Sequence, residues 1–328
     1  MKEFKNKKIL VTGGSGSIGV AIVKKLLYCK PKGIRILTND ENSIFECKKI
    51  LGNNPMLTYI IGDIREKDRM VMAMKNIDIV FHAAAMKHID ICEENPFDAV
   101  KTNVVGTSNV LEAALIENIS KFILISTDKA TNPSSTLGAS KLLAEKLTKN
   151  ASAYRGIGKT IFAIVRFGNV IGSRGSVFQI FVNQILHKKT ITITDLKMTR
   201  FIMSMSDAAD LILKITNIAK DGEIFIMKMP SVKIIELAKA ISKVLEKRTK
   251  EKVSSKINVS NARHGERIRE HLITEEEIPY CYDMDDMYKI SNKVNSKKIN
   301  LKIFNSETAT QISKKDLEKT IIELLDEY

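Results

Sequence analysis

Lys8-Ile-Leu-Val-Thr-Gly-Gly-Ser-Gly-Ser-Ile-Gly19 decides the fold. A short apolar run enters a glycine-rich turn, and residues at helical spacing (Ile22, Val23, Leu26, Leu27) leave it. Gly13, Gly16 and Gly19 make G-x-x-G-x-x-G between a strand and a helix. A turn so placed brings backbone N–H groups and a helix N-terminus up to a dinucleotide pyrophosphate. The contacts expected there are Gly13, Ser15, Gly16, Ser17, Ile18 and Gly19. A merely flexible turn would explain the glycines but not their position.

Outward from this turn, strand and helix alternate to about residue 150. The second strand, Ile34-Arg-Ile-Leu37, is followed by Thr38, Asn39 and Asp40. An acid closing this strand would bind the ribose 2′-OH of NAD. Thr38 stands there instead, with Asn39 beside it, so the cofactor reading leans to NADP. NAD stays the alternative, because no arginine stands ready for a 2′-phosphate. The third strand delivers Asp63 and Ile64 to the adenine; Asp63 serves equally as the N-cap of a helix over 65–75. The fourth strand ends in Ala83, Ala84 and Ala85, small enough for close approach, and His82 within it reads as a packed histidine. Lys87 and, more weakly, His88 follow at the strand's carboxyl end, where ligands bind in such sheets. A long helix is expected from Asn95-Pro96 past Asn103 to Ala114.

The chemistry concentrates in Ser126-Thr-Asp-Lys-Ala-Thr-Asn-Pro-Ser-Ser-Thr-Leu-Gly-Ala-Ser-Lys141. The strand Phe122-Ile-Leu-Ile125 delivers it, and a helix with Leu142, Leu143 and Leu147 carries it away. Short-chain dehydrogenases place Tyr-x-x-x-Lys at this helix, the lysine lowering the phenol's pKa. Here Leu137 precedes Lys141 by four, and leucine moves no proton. Asp128 and Lys129 are the remaining proton carriers. As a surface ion pair they would count for little, but the carboxyl end of a strand favours a site.

Beyond a further buried strand, Thr160 to Asn169, the elements shorten. The expected architecture is α/β: a Rossmann-type doubly wound parallel sheet over 1–168, with later segments returning to it. A smaller α/β substrate domain covers 169–273, and a carboxyl-terminal arm for oligomerisation covers 274–328. Arg174, Arg200 and Arg263 are spread through the second part and together suit a diphosphate.

Composition narrows the classes. The chain has 328 residues, 44% hydrophobic and 27% charged, enough for a sizeable core. Its net charge is +14, but the lysines are scattered singly or in pairs, so neither nucleic acid nor a membrane surface is the expected partner. Phosphates on a substrate fit the sign equally well. Four separated cysteines form no C-x-x-C, and the five histidines no H-x-x-x-H, so neither disulfides nor a metal is expected, and a reducing cytoplasm suits the chain. No apolar stretch is long enough to cross a bilayer.

The quoted stretches resemble the extended short-chain dehydrogenase/reductases, specifically the nucleotide-sugar 4,6-dehydratases. They are most similar to the UDP-N-acetylglucosamine 4,6-dehydratases of capsule, O-antigen and flagellin-glycan synthesis, over nearly the whole chain. Besides the stretches above, HAAAMKH, RFGNVIGSRGSV, ITDLKMTRF and RHGE carry the likeness. The tail resembles soluble, C5-inverting members, in which a carboxyl-terminal arm latches subunits into an oligomer, often a hexamer. The resemblance implies UDP-N-acetylglucosamine as substrate and dehydration through transient hydride transfer to NAD(P). It implies Thr127, Asp128, Lys129, Lys141 and Lys87 as catalytic, with Lys87 and Lys141 also at the cofactor. Lys87, His88, Asn169, Arg174, Thr194, Arg200, Arg263 and Glu266 are implied for the UDP-sugar. The family carries tyrosine or methionine where this chain has Leu137. In this reading Lys129 is a neutral amine, its pKa depressed by Lys141 and the nicotinamide. The rivals are a UDP-sugar 4-epimerase or reductase on the same fold, and a non-catalytic dinucleotide-binding protein.

Overall fold

The computed structural model describes residues 2–250, 256–261, 264–296 and 305–327. The first half alternates as its apolar periodicity requires. β1 (Lys8–Thr12), β2 (Gly33–Thr38), β3 (Leu57–Ile61), β4 (Ile79–His82), β5 (Lys121–Thr127) and β6 (Ile161–Phe167) are joined by helices. β7 (Asn169–Val170), β8 (Ile191–Ile193), β9 (Thr199–Met203), β10 (Glu223–Met227), β11 (Ser231–Lys233), β12 (Ile257–Val259), β13 (Cys281–Met284) and β14 (Met287–Ile290) follow.

The main sheet has nine strands in the order β13-β14-β10-β6-β5-β4-β1-β2-β3. From β3 to β10 neighbouring strands run parallel; β14 and β13 close the edge antiparallel. Chain order reverses between β1 and β4, which opens a crevice at the carboxyl ends. Both faces are covered by helices, so β1, β4, β5 and β6 are almost wholly buried, as parallel strands must be. The expected doubly wound sheet is the one observed.

A second core holds Phe178, Phe181, Ile193, Ile202, Leu237 and Ile241 among others, around the small sheets β11-β9-β7 and β12-β8. Later segments return to the main layer. The Met205–Ile218 helix and β10, from the middle of the presumed substrate segment, lie in the main layer. The expected arm, 274–328, does not stand off. Its β13–β14 hairpin extends the main sheet, and its Lys314–Glu327 helix puts Leu317, Ile321 and Leu325 into the second core. Ile322, on the same helix, is exposed.

Two helices depart from expectation near the site. The expected long helix runs unbroken from Pro96 to Ile116, but its middle, Lys101–Gly106, is a π-helical turn, and a separate short helix, Ile89–Glu94, precedes it. In the Thr136–Asn150 helix the leucine stripe faces outward: Leu143 and Leu147 are exposed. The buried face carries Ser140, Lys141, Glu145 and Thr148 instead. Each of these polar groups has a partner, which is what allows its burial.

Candidate active site

A groove of about 940 Å³ runs along the carboxyl ends of the main sheet. The glycine-rich turn forms one wall. Gly13 has φ +63°, and a Cβ there would lie 2.7 Å from the Ala84 backbone. A Cβ on Gly19 would strike the Gly13 carbonyl at 2.4 Å, so the helix Ser17–Tyr28 packs tightly on the turn only because no side chain intervenes. No side chain caps that helix, so its first N–H groups are left for a ligand. Ser15, Gly16, Ser17, Ile18, Asn39, Asp63, Ile64, Ala83, Ala84, Ala85 and Lys87 line the same groove with Gly13 and Gly19. These residues fit a dinucleotide: a bare helix N-terminus for its pyrophosphate and small residues where its rings would lie.

Two acids where β2 and β3 end hold the local chain. Asp40 caps the Glu41–Leu51 helix by accepting from the Asn42 N–H at 3.0 Å. Its late position after β2 is therefore a helix start, though Asp40 also lines the groove. Asp63 accepts from the Arg65 N–H at 2.9 Å, from the Arg65 guanidinium and from Asn39. The Arg65 hydrogen bond holds its carboxyl below the usual range, against the opposing effect of burial. The next helix begins only at Lys67 with Glu66 as its cap, so Asp63 fixes a turn and not a helix end.

The opposite wall is a strap, 173–175. Arg174 accepts from Lys87 Nζ through its carbonyl, donates its N–H to Ser17 Oγ at 3.0 Å, and lays its guanidinium on the Ser15 carbonyl. His88 abuts Gly175, where a Cβ would meet its ring at 2.7 Å. Burial, then the Arg174 charge, lowers Lys87; burial, then Lys87, lowers His88. Sequence reasoning had not placed Arg174 against the cofactor turn.

Thr127 lines the groove where β5 ends. Its hydroxyl donates to Asp128 Oδ1 at 2.8 Å, and Lys129 Nζ donates to the same oxygen at 3.0 Å. Asp128 is fully buried, with Oδ2 unpartnered. Lys129 also meets Glu270 Oε1 at 3.3 Å. Burial alone would lower its pKa, but Asp128 and Glu270 outweigh that and Arg200's charge, and the ammonium is held above the ordinary lysine range. The expected neutral, depressed Lys129 is thus corrected: two carboxylates face it. Sequence reasoning missed Glu270, whose only local signal was its place four residues after Glu266 in a charged run.

Arg200 is buried; it donates to the Thr199 and Ile268 carbonyls and lies 3.7 Å from Glu266 and 3.9 Å from Glu270. Asn169 keeps a buried, unpartnered Oδ1, a group suited to a ligand donor. Thr194 sits apart from the groove, its hydroxyl on Met198 Sδ at 3.7 Å. Arg263 lies outside the described residues. Asn103, in the π-helical turn, brackets Met86 through its N–H and carbonyl and so holds the segment that carries Lys87. His82 is packed between Thr12 and Thr107 and is lowered to about 3 by burial, then Lys141; it stays neutral.

Lys141 is directed inward, donating to the Ile125 carbonyl at 2.7 Å. Leu137, one turn earlier, packs with Cys92, Ala99, Met86 and Ile89, so the position of a phenol is filled by core. Burial lowers Lys141 to about 8, with Glu145 opposing. Below that value the charge is buried and destabilises the fold. The penalty is relieved as pH rises towards the ordinary lysine value of about 10.4. Denaturant midpoints should therefore gain a rising component between pH 8 and 10, and Lys141→Met should abolish that component while stabilising the protein at pH 7.

The family model of polysaccharide biosynthesis proteins matches residues 9–292. The chain belongs to the polysaccharide biosynthesis protein family. Relatives of this family member include a Methanocaldococcus jannaschii protein described as an uncharacterized membrane protein. It is 47% identical over 98% of this chain and 97% of its own length. A Rickettsia bellii protein named UDP-glucose 4-epimerase is 40% identical over 88% of this chain and 83% of its own. The structure of Pen from Bacillus thuringiensis superposes with a TM-score of 0.92 at 40% identity, covering 98% and 99% of the two chains. A Streptomyces venezuelae dTDP-glucose 4,6-dehydratase, solved with NAD bound, superposes at 0.74 with 19% identity over 98% and 97%, which is a likeness of fold. The family member has the extended short-chain dehydrogenase/reductase fold. Among its described residues no helix is long and apolar enough to cross a membrane, whatever the archaeal relative is called.

Proposed function

We propose that this protein is a UDP-N-acetylglucosamine 4,6-dehydratase that inverts C5, and works in the cytoplasm with bound NADP. The observation that carries this reading is the Thr127–Asp128–Lys129 unit at the head of a dinucleotide groove, with Leu137 where a phenol would stand. The dinucleotide supplies reversible removal of hydride from sugar C4 and its return to C6. Thr127 bonds O4 and passes the O4 proton along its 2.8 Å hydrogen bond to Asp128. Asp128 gives that proton to the C6 hydroxyl, which leaves as water. The minor neutral form of Lys129, its ammonium proton first released to solvent, takes the C5 proton, acidified by the neighbouring ketone. Lys87, from the other wall, returns a proton to C5 on the opposite face. Asn169, Arg174, Arg200 and Glu266 hold the UDP moiety, with His88 as a further contact; Lys141 and Thr194, expected at the ligands, are instead bonded to the Ile125 carbonyl and to Met198, away from the groove. Thr38, standing where an acid would close β2, supports NADP over NAD. An exposed apolar face with Phe97, Val100, Leu143 and Leu147 suits burial in a homo-oligomer.

The test is incubation with UDP-N-acetylglucosamine in heavy water, without added cofactor, followed by mass spectrometry. A product one water lighter and carrying deuterium is expected; proton couplings then read C5. Unchanged substrate, even with NADP or NAD added, would sink the reading. The second reading, a 4-epimerase, rests on the 40% identical relative of that name. It predicts unchanged mass and inverted C4.

A further inference from the structure

Glu270 is 2% exposed, and its Oε2 has no hydrogen-bond partner. The segment that carries it is already anchored through the backbone. Its N–H donates to Ser306 Oγ at 2.9 Å, and its carbonyl accepts from the Ser306 N–H at 2.9 Å. The carboxylate is not needed for that anchoring, and a buried charge persists only where opposite charges hold it. Three cations face it: Lys129 at 3.3 Å, Arg200 at 3.9 Å and Arg267 at 4.0 Å. Only Lys129 among these also touches Asp128.

We propose that Glu270 is a positioning residue for the base: it aims Lys129 and stabilises the ammonium formed when Lys129 takes the C5 proton. In that step the amine lone pair forms N–H, and the C5–H electron pair flows into the C4 ketone. The proposal rests on the dehydratase reading and adds a fourth member to its Thr127–Asp128–Lys129 unit. Asp128 cannot fill this role alone, because its Oδ1 is shared with the Thr127 hydroxyl. The charged groups around the pair are Asp128 on the β5 loop, Arg200 on β9, and Glu266, Arg267 and His271 on Glu270's own segment.

The partnership has two opposed consequences. A carboxylate within about 4 Å makes Lys129 a stronger base, and it makes the free amine scarcer at low pH. Glu270→Gln should therefore move the acid limb of the kcat profile down by about 1 pH unit or more, while lowering the plateau rate of C5 deuterium exchange. Glu270→Asp should restore the wild-type limb. A general packing defect would lower the rate at every pH and leave the limb in place, which would overturn the proposal. A substrate-free measurement separates this from the function itself. Trace acetylation across pH, read peptide by peptide, gives the Lys129 titration midpoint in each variant. A lower midpoint in Glu270→Gln is expected even if wild type never dehydrates UDP-N-acetylglucosamine; an unmoved midpoint would overturn the proposal whatever the substrate.

Discussion

Lys129→Met should lower the rate of dehydration by about 10²–10⁴-fold, the usual worth of a positioned general base. The methionine keeps the length and the buried stem, so the groove and the glycine-rich turn stay intact. Binding of the dinucleotide, read by fluorescence or calorimetry, should change little, because Lys129 does not line the cofactor groove. Deuterium exchange at C5 should fall in parallel with dehydration. Reduction of the bound nicotinamide on adding substrate should persist, since the O4 proton leaves through Thr127 and Asp128. A variant with undiminished exchange would remove Lys129 from the chemistry. The substitution also leaves Asp128 and Glu270 facing one another without their shared cation, so a stability loss of a few kcal/mol is expected beside the kinetic one. Activity must accordingly be measured well below the melting temperature.

Arg166→Met should destabilise the fold by about 3–5 kcal/mol. Arg166 on β6 is 1% exposed and grips Glu145 at 2.5 and 3.0 Å, Glu277 at 2.8 and 2.9 Å, and the Leu272 carbonyl at 2.9 Å. Burial would lower the guanidinium's own pKa, but the two carboxylates raise it. Its loss strands two carboxylates, leaving them only the more remote charges of Lys141, Lys146 and Lys149. Urea denaturation at pH 7 measures the cost. The pH dependence gives a second check. Burial would raise Glu277, but its hydrogen bond to Arg166 holds it below the usual range. Glu277 therefore contributes stability above its unfolded value of about 4.3, and that contribution is lost as pH falls through the lower folded value. The gap between wild type and Arg166→Met should narrow across that acid window. A constant gap would mean the network carries little charge coupling.

How far the sequence could be read depended on how local the cause was. The strand, turn and helix at Lys8–Gly19 were legible because the glycines, the apolar run and the helical spacing are adjacent. The Asp128–Lys129 pair was legible for the same reason. Lys129's charge state was not, since Glu270 reaches it from a distant, charged stretch with no apolar period of its own. The leucine stripe of the Thr136–Asn150 helix misled because burial there is decided by Arg166 and Ile125, partners on neighbouring strands. The β13–β14 hairpin went unseen within an Asp- and Lys-rich tail. Its two-residue turn, Asp285-Asp286 with Asp285 at φ +53°, lacks the glycine that usually marks one.

The chain passes back and forth between its two cores: to β7 and β9, back to β10, out to β11, back to the β13–β14 hairpin, and out again to the final helix. A jaw that swings needs a hinge, a few residues that absorb the whole rotation. Here every strand of the joint would have to bend at once. The joint therefore resists a hinge motion, and on the proposed reading a dinucleotide would have to pass Arg174, which is fastened to Ser15, Ser17 and Lys87. A reaction that ends with its redox partner unchanged has no need to exchange it, and this joint is suited to keeping it.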